Sequence, residues 1–286
     1  MKFASFHIDG RPTYGAVDGE IIAEVTSEHR QAYADLRAAI ASDRLTEIGQ
    51  AALASGKRHP VGGIRLDPVI PNPDKIICVG LNYESHRLET KRPDSAYPSI
   101  FLRFADTQIG HDAPTILPLS STRFDYEGEL AVVIGKGGRY ISEADALDHV
   151  AGYSCYNDVS VRDWQRHTHQ FTPGKNFPAT GPFGPFLVTP DEVGDLAPLR
   201  ITTRLNGEVM QDAHFSQLIF SVPHIISYVS GFTELRPGDV IATGTPGGVG
   251  DRREPPHYMK AGDVVEVEIE RVGLLRNHVE AEKSAV

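Results

Sequence analysis

Two glutamates that stand two residues apart open the part of the chain whose residue types could do chemistry. Glu127 and Glu129 lead into the apolar run 130–134, which is rich in β-branched residues and typical of a buried strand. Residues two apart on a strand share a face, so both carboxylates lie on one side of it. Carboxylates held together in a partly buried place repel each other and lose hydration unless a cation lies between them. The stretch fits two interpretations: a cation site, or a solvated sheet edge with alternating glutamates.

A third carboxylate follows another strand-like run. Asp158 comes directly after residues 153–157 and shortly before a helix start at Ser160. By itself it fits a turn or a helix cap as well as a position facing a cleft. With Glu127 and Glu129 it would complete an all-oxygen ligand set suited to Mg²⁺, Mn²⁺ or Ca²⁺. The lack of any cysteine cluster in the sequence disfavours zinc.

A candidate base comes after the Gly-Leu-Asn-Tyr segment at 80–83. His86 and Glu89 are three residues apart on a helical pattern and face the same side. A carboxylate beside an imidazole orients it and raises its basicity, as a general base for water requires. An ordinary ion pair on a surface helix fits the same spacing. His167 and His169 form a weaker alternative pair and are better explained as surface histidines at a helix end.

Two loops could bind an anion. Lys175 lies in the segment 171–186, where fixed turns at proline and glycine leave it little freedom to move. It could stabilise an oxyanion, or be a solvated lysine in a turn. The glycine-rich segment 243–250 lacks the Gly-Lys-Ser/Thr ending of a nucleotide P-loop. Its backbone N–H groups and the Thr245 hydroxyl could bind a carboxylate, or form a plain turn between strands.

Strand patterns outnumber helical ones from residue 74 onward and do not alternate with them regularly. This favours an α+β, mostly-β fold over a doubly wound parallel sheet. The predicted strands are 75–79, 99–104, 129–135, 151–156, 184–188, 200–205, 239–243 and 263–270, and the predicted helices lie near 83–90, 142–149, 160–169 and 216–230.

The first 70 residues have a pattern of their own. Residues 1–26 predict a small antiparallel meander with turns at Asp9-Gly10 and Asp18-Gly19, and residues 28–56 have the spacing of two helices. Prolines then crowd a short connector near residue 70. The predicted units are a small α+β N-terminal domain over 1–70, a larger domain over 74–280 and a flexible tail over 281–286.

The overall composition excludes several classes of protein. A formal net charge of −10 over 286 residues argues against nucleic acid and against an anionic membrane surface as partners. A small anionic substrate stays possible, because a few local cations can outweigh the net charge. No signal-peptide core or membrane span is evident. Cys78 and Cys155 lie in apolar runs, which predicts free buried thiols and a cytoplasmic location.

Taken together and in this order, the motifs resemble the fumarylacetoacetate hydrolase family over roughly residues 74–279. These motifs are Gly-Leu-Asn-Tyr with His-x-x-Glu, Glu-x-Glu, a later Asp, Pro-Gly-Lys, and Thr-Gly-Thr-Pro-x-Gly-Val-Gly. The resemblance implies a mixed β-roll or β-sandwich catalytic domain and a homodimer. It also implies Mg²⁺ or Mn²⁺ held at positions matching Glu127, Glu129 and Asp158.

The resemblance extends to other site residues. His86 and Glu89 match the dyad that activates water in hydrolytic members, and Lys175 matches a lysine that contacts the substrate. Gln165 and Thr245 fall at positions that line the substrate site. The chain departs from the family at Arg103, where similar proteins often carry lysine. Charge is conserved there, but a planar fork replaces a point donor, so Arg103 is expected to contact a substrate of different shape.

The activity implied is hydrolysis of a carbon–carbon bond in a 2,4-dioxo acid such as an acylpyruvate, which yields pyruvate and a carboxylic acid. The same enolate stabilisation also serves isomerisation or decarboxylation of a hydroxymuconate-type or oxaloacetate-type acid, which is the alternative. A third hypothesis is a non-catalytic binding protein whose metal is structural.

Overall fold

The computed structural model describes residues 1–284, and its first 66 residues form strands and helices at one end of a large sheet. The meander predicted for 1–26 is present, and Asp9, Gly10 and Gly19 have positive φ in its turns. The elements of this part are β1 (Lys2–Ile8), β2 (Arg11–Asp18), β3 (Ile21–Glu24), α1 (Ser27–Ala32), α2 (Leu36–Ala41), α3 (Leu45–Ser55), β4 (Arg58–Pro60) and β5 (Arg65–Leu66).

The remaining elements are mostly strands, which confirms the α+β, mostly-β class. Helices are short apart from the last. The elements are β6 (Ile76–Gly80), α4 (Glu84–Glu89), β7 (Ser99–Arg103), β8 (Gln108–Ile109), β9 (Thr115–Leu117), β10 (Phe124–Asp125), β11 (Gly128–Ile134), β12 (Val150–Asn157), β13 (Ser160–Val161), α5 (Arg162–Gln165), α6 (Thr172–Lys175), β14 (Gly181–Val188), α7 (Pro190–Val193), β15 (Arg200–Leu205), β16 (Glu208–His214), α8 (Val222–Phe232), β17 (Val240–Ala242), β18 (Val264–Ile269) and β19 (Gly273–Ala281).

The large sheet has the strand order β4-β3-β2-β1-β14-β12-β11-β17-β6-β7, with β5 and β8 attached at its side. A second sheet has the order β16-β15-β18-β19-β9, and β10 pairs with β13. Because β1 pairs with β14, backbone hydrogen bonds join the N-terminal strands to the rest of the large sheet. The domain boundary predicted between 1–70 and 74–280 stays a prediction.

Strand β11 lies in the middle of the large sheet and separates two apolar cores. Leu130 and Val132 point into one core and Ala131 and Val133 into the other. This is the period-two alternation of a strand that is covered on both faces. The face that carries Glu129 therefore continues into the core that contains Ala131 and Val133, as predicted.

Several local predictions are wrong. The helix predicted at 160–169 is only the four-residue α5, because Ser160 and Val161 pair with β10 instead. The region 142–149 contains a single 3₁₀ turn, at Ala146–His149. The hairpin partners β16 and β19 were not predicted, since polar residues interrupt the apolar pattern of both.

The first residue of the predicted tail 281–286 belongs to the last strand. Ala281 is the last residue of β19 and pairs with Leu117, and the N–H of Glu282 donates to the Leu117 carbonyl at 2.9 Å. The end of the predicted tail, 285–286, lies outside the described residues. Cys78 and Cys155 are buried free thiols, as predicted. In residues 1–284, no helix has both the length and the apolar character needed to span a membrane.

Candidate active site

Three carboxylates meet beside the start of β11. One oxygen from each of Glu127, Glu129 and Asp158 lies within 4.8 Å of the others. The pairing of β11 with β12 explains this, because Gly128 stands opposite Asn157 and the next residues along are Glu127 and Asp158. The N–H of Asp158 also donates to the Glu127 carbonyl at 2.8 Å. The predicted all-oxygen triad is therefore assembled by strand register.

Cations surround two members of this triad. Lys175 Nζ lies 2.6 Å from Glu127 Oε2 and 2.6 Å from Asp158 Oδ2. Arg162 Nη1 lies 2.5 Å from the other oxygen of Glu127. Glu129 differs: it accepts the N–H of Gly244 at 2.9 Å, and no cationic group within residues 1–284 lies within 4 Å of it. The triad is therefore short of positive charge at Glu129.

The pKa values follow this asymmetry. Burial raises the pKa of Glu129 well above its usual range, and the nearby Asp158 and Glu127 raise it further. Burial acts the same way on Glu127, but Lys175 and Arg162 outweigh it and lower the pKa of that carboxyl. Burial lowers the pKa of Lys175, but Asp158 and Glu127 outweigh it, so the net shift is upward.

The donor set fits a divalent metal ion. Hard oxygen ligands suit Mg²⁺ and Mn²⁺, and a dication would supply the charge that Glu129 lacks. The candidate metal ligands are therefore the three that the sequence predicted: Glu127, Glu129 and Asp158.

The histidine–glutamate pair has the predicted geometry. Helix α4 positions His86 Nδ1 2.7 Å from Glu89 Oε1, and the other Glu89 oxygen accepts the N–H of Gly248 at 2.9 Å. A carboxylate only accepts, so Nδ1 donates and Nε2 is left to take a proton. His86 is 6% exposed, so this is not the surface ion pair that the spacing also allowed.

These groups share one cavity of about 380 Å³. Six of the predicted site residues line it: His86, Glu127, Glu129, Gln165, Lys175 and Thr245. His167 and His169 line it as well. The two histidines are exposed, follow the end of α5, and are not part of the carboxylate triad. Asp158 is fully buried beside Glu127.

Arg103 is placed differently from the expectation. Its buried guanidinium donates to Asp158 Oδ1 at 2.6 Å and to Thr180 Oγ1 at 2.8 Å, and it does not line the cavity within residues 1–284. Arg103 is the last residue of β7, and its side chain extends toward Asp158. The planar fork therefore orients a candidate metal ligand, and this position does not support the predicted contact with substrate.

The glycine-rich loop 243–250 also has a different partner from the one predicted. Its N–H groups at Gly244, Gly248 and Gly250 donate to the protein's own carboxylates Glu129, Glu89 and Asp125, each at 2.9 Å. Gly244 and Gly248 have φ of 103° and 104°, a region that side chains rarely adopt. The loop therefore holds the acidic side chains of the site in place.

Asp125 and Arg162 belong to the site but were not predicted from the sequence. Asp125 Oδ2 accepts Arg162 Nε at 2.8 Å, and Arg162 reaches Glu127 and, at 3.0 Å, Gln165 Oε1. Burial raises the pKa of Asp125, although Arg162 opposes the shift. Asp125 could have been predicted, since it lies two residues before Glu127 and continues the alternation of Glu127 and Glu129.

Comparison with known proteins identifies relatives of high similarity. A mitochondrial oxaloacetate tautomerase of Bos taurus is 48% identical over 212 residues, which cover 73% of this chain and 68% of the relative. A mitochondrial oxaloacetate tautomerase of Homo sapiens is 43% identical over 246 residues, which cover 82% of this chain and 77% of the relative.

Solved structures agree over nearly the full length. A fumarylacetoacetate hydrolase from Exiguobacterium antarcticum has a TM-score of 0.86 and 35% identity, covering 99% of this chain and 100% of its own. A maleylpyruvate hydrolase from Sphingobium sp. SYK-6, in complex with manganese(II) and pyruvate, has a TM-score of 0.81 and 28% identity, with the same coverage.

The names of the relatives correct one expectation. A cytoplasmic location was predicted from the free cysteines, but relatives at 48% and 43% identity are named as mitochondrial proteins. The prediction was wrong because free thiols indicate reducing surroundings and do not by themselves select one compartment.

The family model described as fumarylacetoacetate (FAA) hydrolase C-terminal matches residues 75–280. This range contains the carboxylate triad, the histidine–glutamate pair, Lys175 and the glycine-rich loop. The chain therefore belongs to the fumarylacetoacetate hydrolase family.

Proposed function

We propose that this chain is a tautomerase that uses Mg²⁺ or Mn²⁺ and interconverts the keto and enol forms of a 2-oxo acid of the oxaloacetate type. The observation that carries the proposal is His86, held by Glu89 at 2.7 Å, in the same cavity as Glu127 and Glu129. This is an oriented base beside a site for a divalent cation. The names of the relatives at 48% and 43% identity support the choice of reaction.

Glu127, Glu129 and Asp158 would hold the metal ion. When bound, the ion supplies positive charge that lowers the free energy of an enolate. Arg103 keeps Asp158 in place at 2.6 Å, and Arg162 does the same for Glu127 at 2.5 Å. Because these partners fix the carboxylates before any ligand arrives, the site needs little rearrangement to act.

His86 would move the proton. Its Nε2 takes a proton from the carbon next to the 2-oxo group; the electron pair of that C–H bond becomes the carbon–carbon double bond, and the π pair of the 2-oxo C=O bond moves onto its oxygen. The same proton then passes from Nε2 to the 2-oxygen, which restores the neutral imidazole. Glu89 stabilises the cationic imidazole between the two transfers, through its bond to Nδ1.

Lys175 contributes a fixed positive charge beside the reacting oxygens. Its ammonium contacts Glu127 and Asp158 and lies 5.1 Å from the centre of the Phe101 ring. Contacts with two carboxylates favour the charged form, so Lys175 stays a donor and is unsuited to act as the base. This division of roles leaves His86 as the proton carrier.

The test follows the enol absorbance of oxaloacetate in the ultraviolet with Mg²⁺ or Mn²⁺, while pyruvate and CO₂ are measured in the same samples. We expect faster interconversion of the tautomers without release of either product. His86→Asn should lower the rate by roughly 10²–10⁴-fold, the usual contribution of a general base. Retention of full activity by His86→Asn would contradict the proposed role.

His224→Asn is the matched control. His224 Nδ1 lies 2.8 Å from Glu143, so it forms a similar histidine–glutamate pair, but at the protein surface. We expect this variant to keep wild-type activity. Both variants should keep the metal affinity of the wild type, measured by calorimetry, because neither histidine belongs to the carboxylate triad.

A second candidate function is hydrolysis of a carbon–carbon bond in an acylpyruvate. Similarity to the maleylpyruvate hydrolase whose structure contains manganese(II) and pyruvate favours this reaction; the two chains are 28% identical. The same base would then deprotonate a water that attacks the distal carbonyl. Release of pyruvate and a second acid from acylpyruvates, without tautomerisation of oxaloacetate, would select this reaction. Decarboxylation would appear as CO₂, and a binding protein with a structural metal would convert neither substrate.

We also propose that the chain forms the homodimer that the family resemblance implies. Sedimentation at about twice the chain mass of 31.3 kDa would support it, and a monomer at micromolar concentration would contradict it.

A further inference from the structure

The two ends of the cavity differ in charge balance. The buried end is lined by Glu127 and Glu129 together with the cations Lys175 and Arg162, whereas the exposed lining includes three arginines: Arg92, Arg166 and Arg252. The chain as a whole has a formal net charge of −10, so a group of arginines at one opening is a local exception. Such an opening attracts an anion.

Asp251 holds two of these arginines in place. Arg166 donates to both Asp251 oxygens, and its Nη1 lies 3.0 Å from Oδ1. Arg252 Nε lies 3.3 Å from Asp251 Oδ2. Tyr258 donates to the same carboxylate at 2.9 Å, and the Asp251 N–H donates to Asp125. The side chain of Asp251 is 3% exposed, whereas those of Arg166 and Arg252 are 41% and 36% exposed. One buried carboxylate therefore fixes two accessible cations.

The three arginines and Asp251 together carry a net positive charge. Asp251 balances one of its two arginines, and within residues 1–284 no carboxylate lies within 4 Å of Arg92. The exposed guanidinium edges are planar and can bind a carboxylate through two parallel hydrogen bonds. An anion at the outer end would meet oriented donors with a net positive charge.

The spacing along the chain suits a short ligand. Arg162 contacts the metal-ligand candidate Glu127, and Arg166 follows it by four residues, across the end of α5. Side chains four apart in a helical turn are neighbours, with Cβ atoms about 5–6 Å apart. Arg166 is therefore about one helical turn along the chain from Arg162, a distance that a four- or five-carbon ligand can bridge.

We infer that Arg166 and Arg252, oriented by Asp251, form with Arg92 a subsite for the distal carboxylate of a dicarboxylic 2-oxo acid. The inference deepens the proposed function and rests on it, because it takes the 2-oxo end of the substrate to lie at the carboxylate triad. It assigns the preference for a dicarboxylate to residues outside the triad and outside the histidine–glutamate pair.

The test compares two ligands that differ at the distal end. Oxaloacetate carries the distal carboxylate, and pyruvate carries the 2-oxo acid group without it. For the double variant R166Q/R252Q we expect the KM for oxaloacetate to rise about tenfold, while the inhibition constant of pyruvate changes less than twofold. R92Q, whose side chain has no carboxylate partner among residues 1–284, should raise the same KM by a smaller factor.

Arg204→Gln is the control, since Arg204 pairs with Glu268 at 2.7 Å on the surface of the second sheet and does not line the cavity. It should change neither constant. Equal changes for both ligands in R166Q/R252Q, or an unchanged KM in that variant and in R92Q, would overturn the inference. Melting temperatures of all variants identify any that fail to fold. If R166Q/R252Q does not fold, the KM of R92Q for oxaloacetate decides whether the subsite exists.

A wild-type protein that does not tautomerise oxaloacetate would contradict the proposed function but not the subsite. In that case, thermal shifts with Mn²⁺ and either ligand still test the subsite. If the subsite exists, the rise in melting temperature caused by oxaloacetate should be smaller in the arginine variants than in the wild type, whereas the rise caused by pyruvate should be unchanged.

Discussion

Two groups of charged residues, each built around buried carboxylates, differ in charge balance. In the N-terminal part, Glu24 is 5% exposed and accepts from Arg11 at 2.7 Å, Arg30 at 2.8 Å and Thr13 at 3.2 Å. Around β11, four buried carboxylates face three buried cations, which are Arg103, Arg162 and Lys175. The first group has a surplus of positive charge, and the second has a surplus of negative charge.

This difference separates a structural group from a functional one. Burial raises the pKa of Glu24, but Arg11 and its other partners outweigh it, so the net shift is downward. The pKa of Glu129 rises instead, because burial, Asp158 and Glu127 all act in the same direction. A buried carboxylate without a cation is costly in the folded state, and a divalent ion would remove that cost. Charge balance therefore supports the proposal that the group around β11, and not the one around Glu24, binds a metal ion.

Glu129→Gln should give the largest effect. The amide can still accept from Gly244, but the variant loses one metal ligand, so activity should fall more than about 100-fold. Because the variant also removes a buried carboxyl that has no cationic partner, the metal-free protein should be at least as stable as the wild type. Activity assays and denaturant unfolding with and without EDTA measure both. A metal-free variant that is clearly less stable than the wild type would contradict the proposed charge imbalance.

Metal removal should have the next largest effect. Saturating Mg²⁺ or Mn²⁺ should stabilise the wild type by about 2.7 kcal/mol at 100 times the dissociation constant. The shift should disappear in Glu129→Gln and persist in Glu24→Gln. Thermal unfolding of the three proteins with and without metal makes the comparison. An equal shift in all three would place the metal elsewhere.

Arg103→Lys tests whether the fork of Arg103 positions Asp158. Lysine retains the charge but cannot donate to Asp158 and Thr180 at once, so metal affinity should fall roughly 10–100-fold, as is usual for a partner of a metal ligand. Calorimetric titration with Mn²⁺ measures the change. Wild-type affinity, or a change only in substrate KM, would favour the contact with substrate predicted from the sequence.

Glu24→Gln should give the smallest effect. Arg11 and Arg30 are partly exposed and recover hydration, so the loss of unfolding free energy at pH 7 should be about 1–2 kcal/mol. The pKa of Glu24 is lowered by folding, so its stabilisation is present above the unfolded pKa and is lost as pH falls through the folded value. The difference between variant and wild type should therefore shrink in acid. Urea unfolding at neutral and acid pH checks this.

Much of the candidate site could be predicted from local spacing. The period of two placed Glu127 and Glu129 on one face, and the i,i+3 spacing placed Glu89 beside His86. The strongest local patterns also located most strands and α4, with ends that differ by at most three residues. Predictions that depended on partners in another part of the chain were less successful. Arg103 turned toward Asp158, and the glycine-rich loop bound the protein's own carboxylates.

The sequence by itself determined the family, and it predicted the acidic residues and the histidine–glutamate pair of the candidate site, because these depend on residue identity and on spacings of two or three residues along the chain. Only the tertiary structure decided which charges are balanced. Whether Arg162 meets Asp125, or Glu129 lacks a cation, depends on strands that lie next to each other in the sheet although they are far apart along the chain. Electrostatic energy depends on distance in space and on burial, and local sequence specifies neither of these.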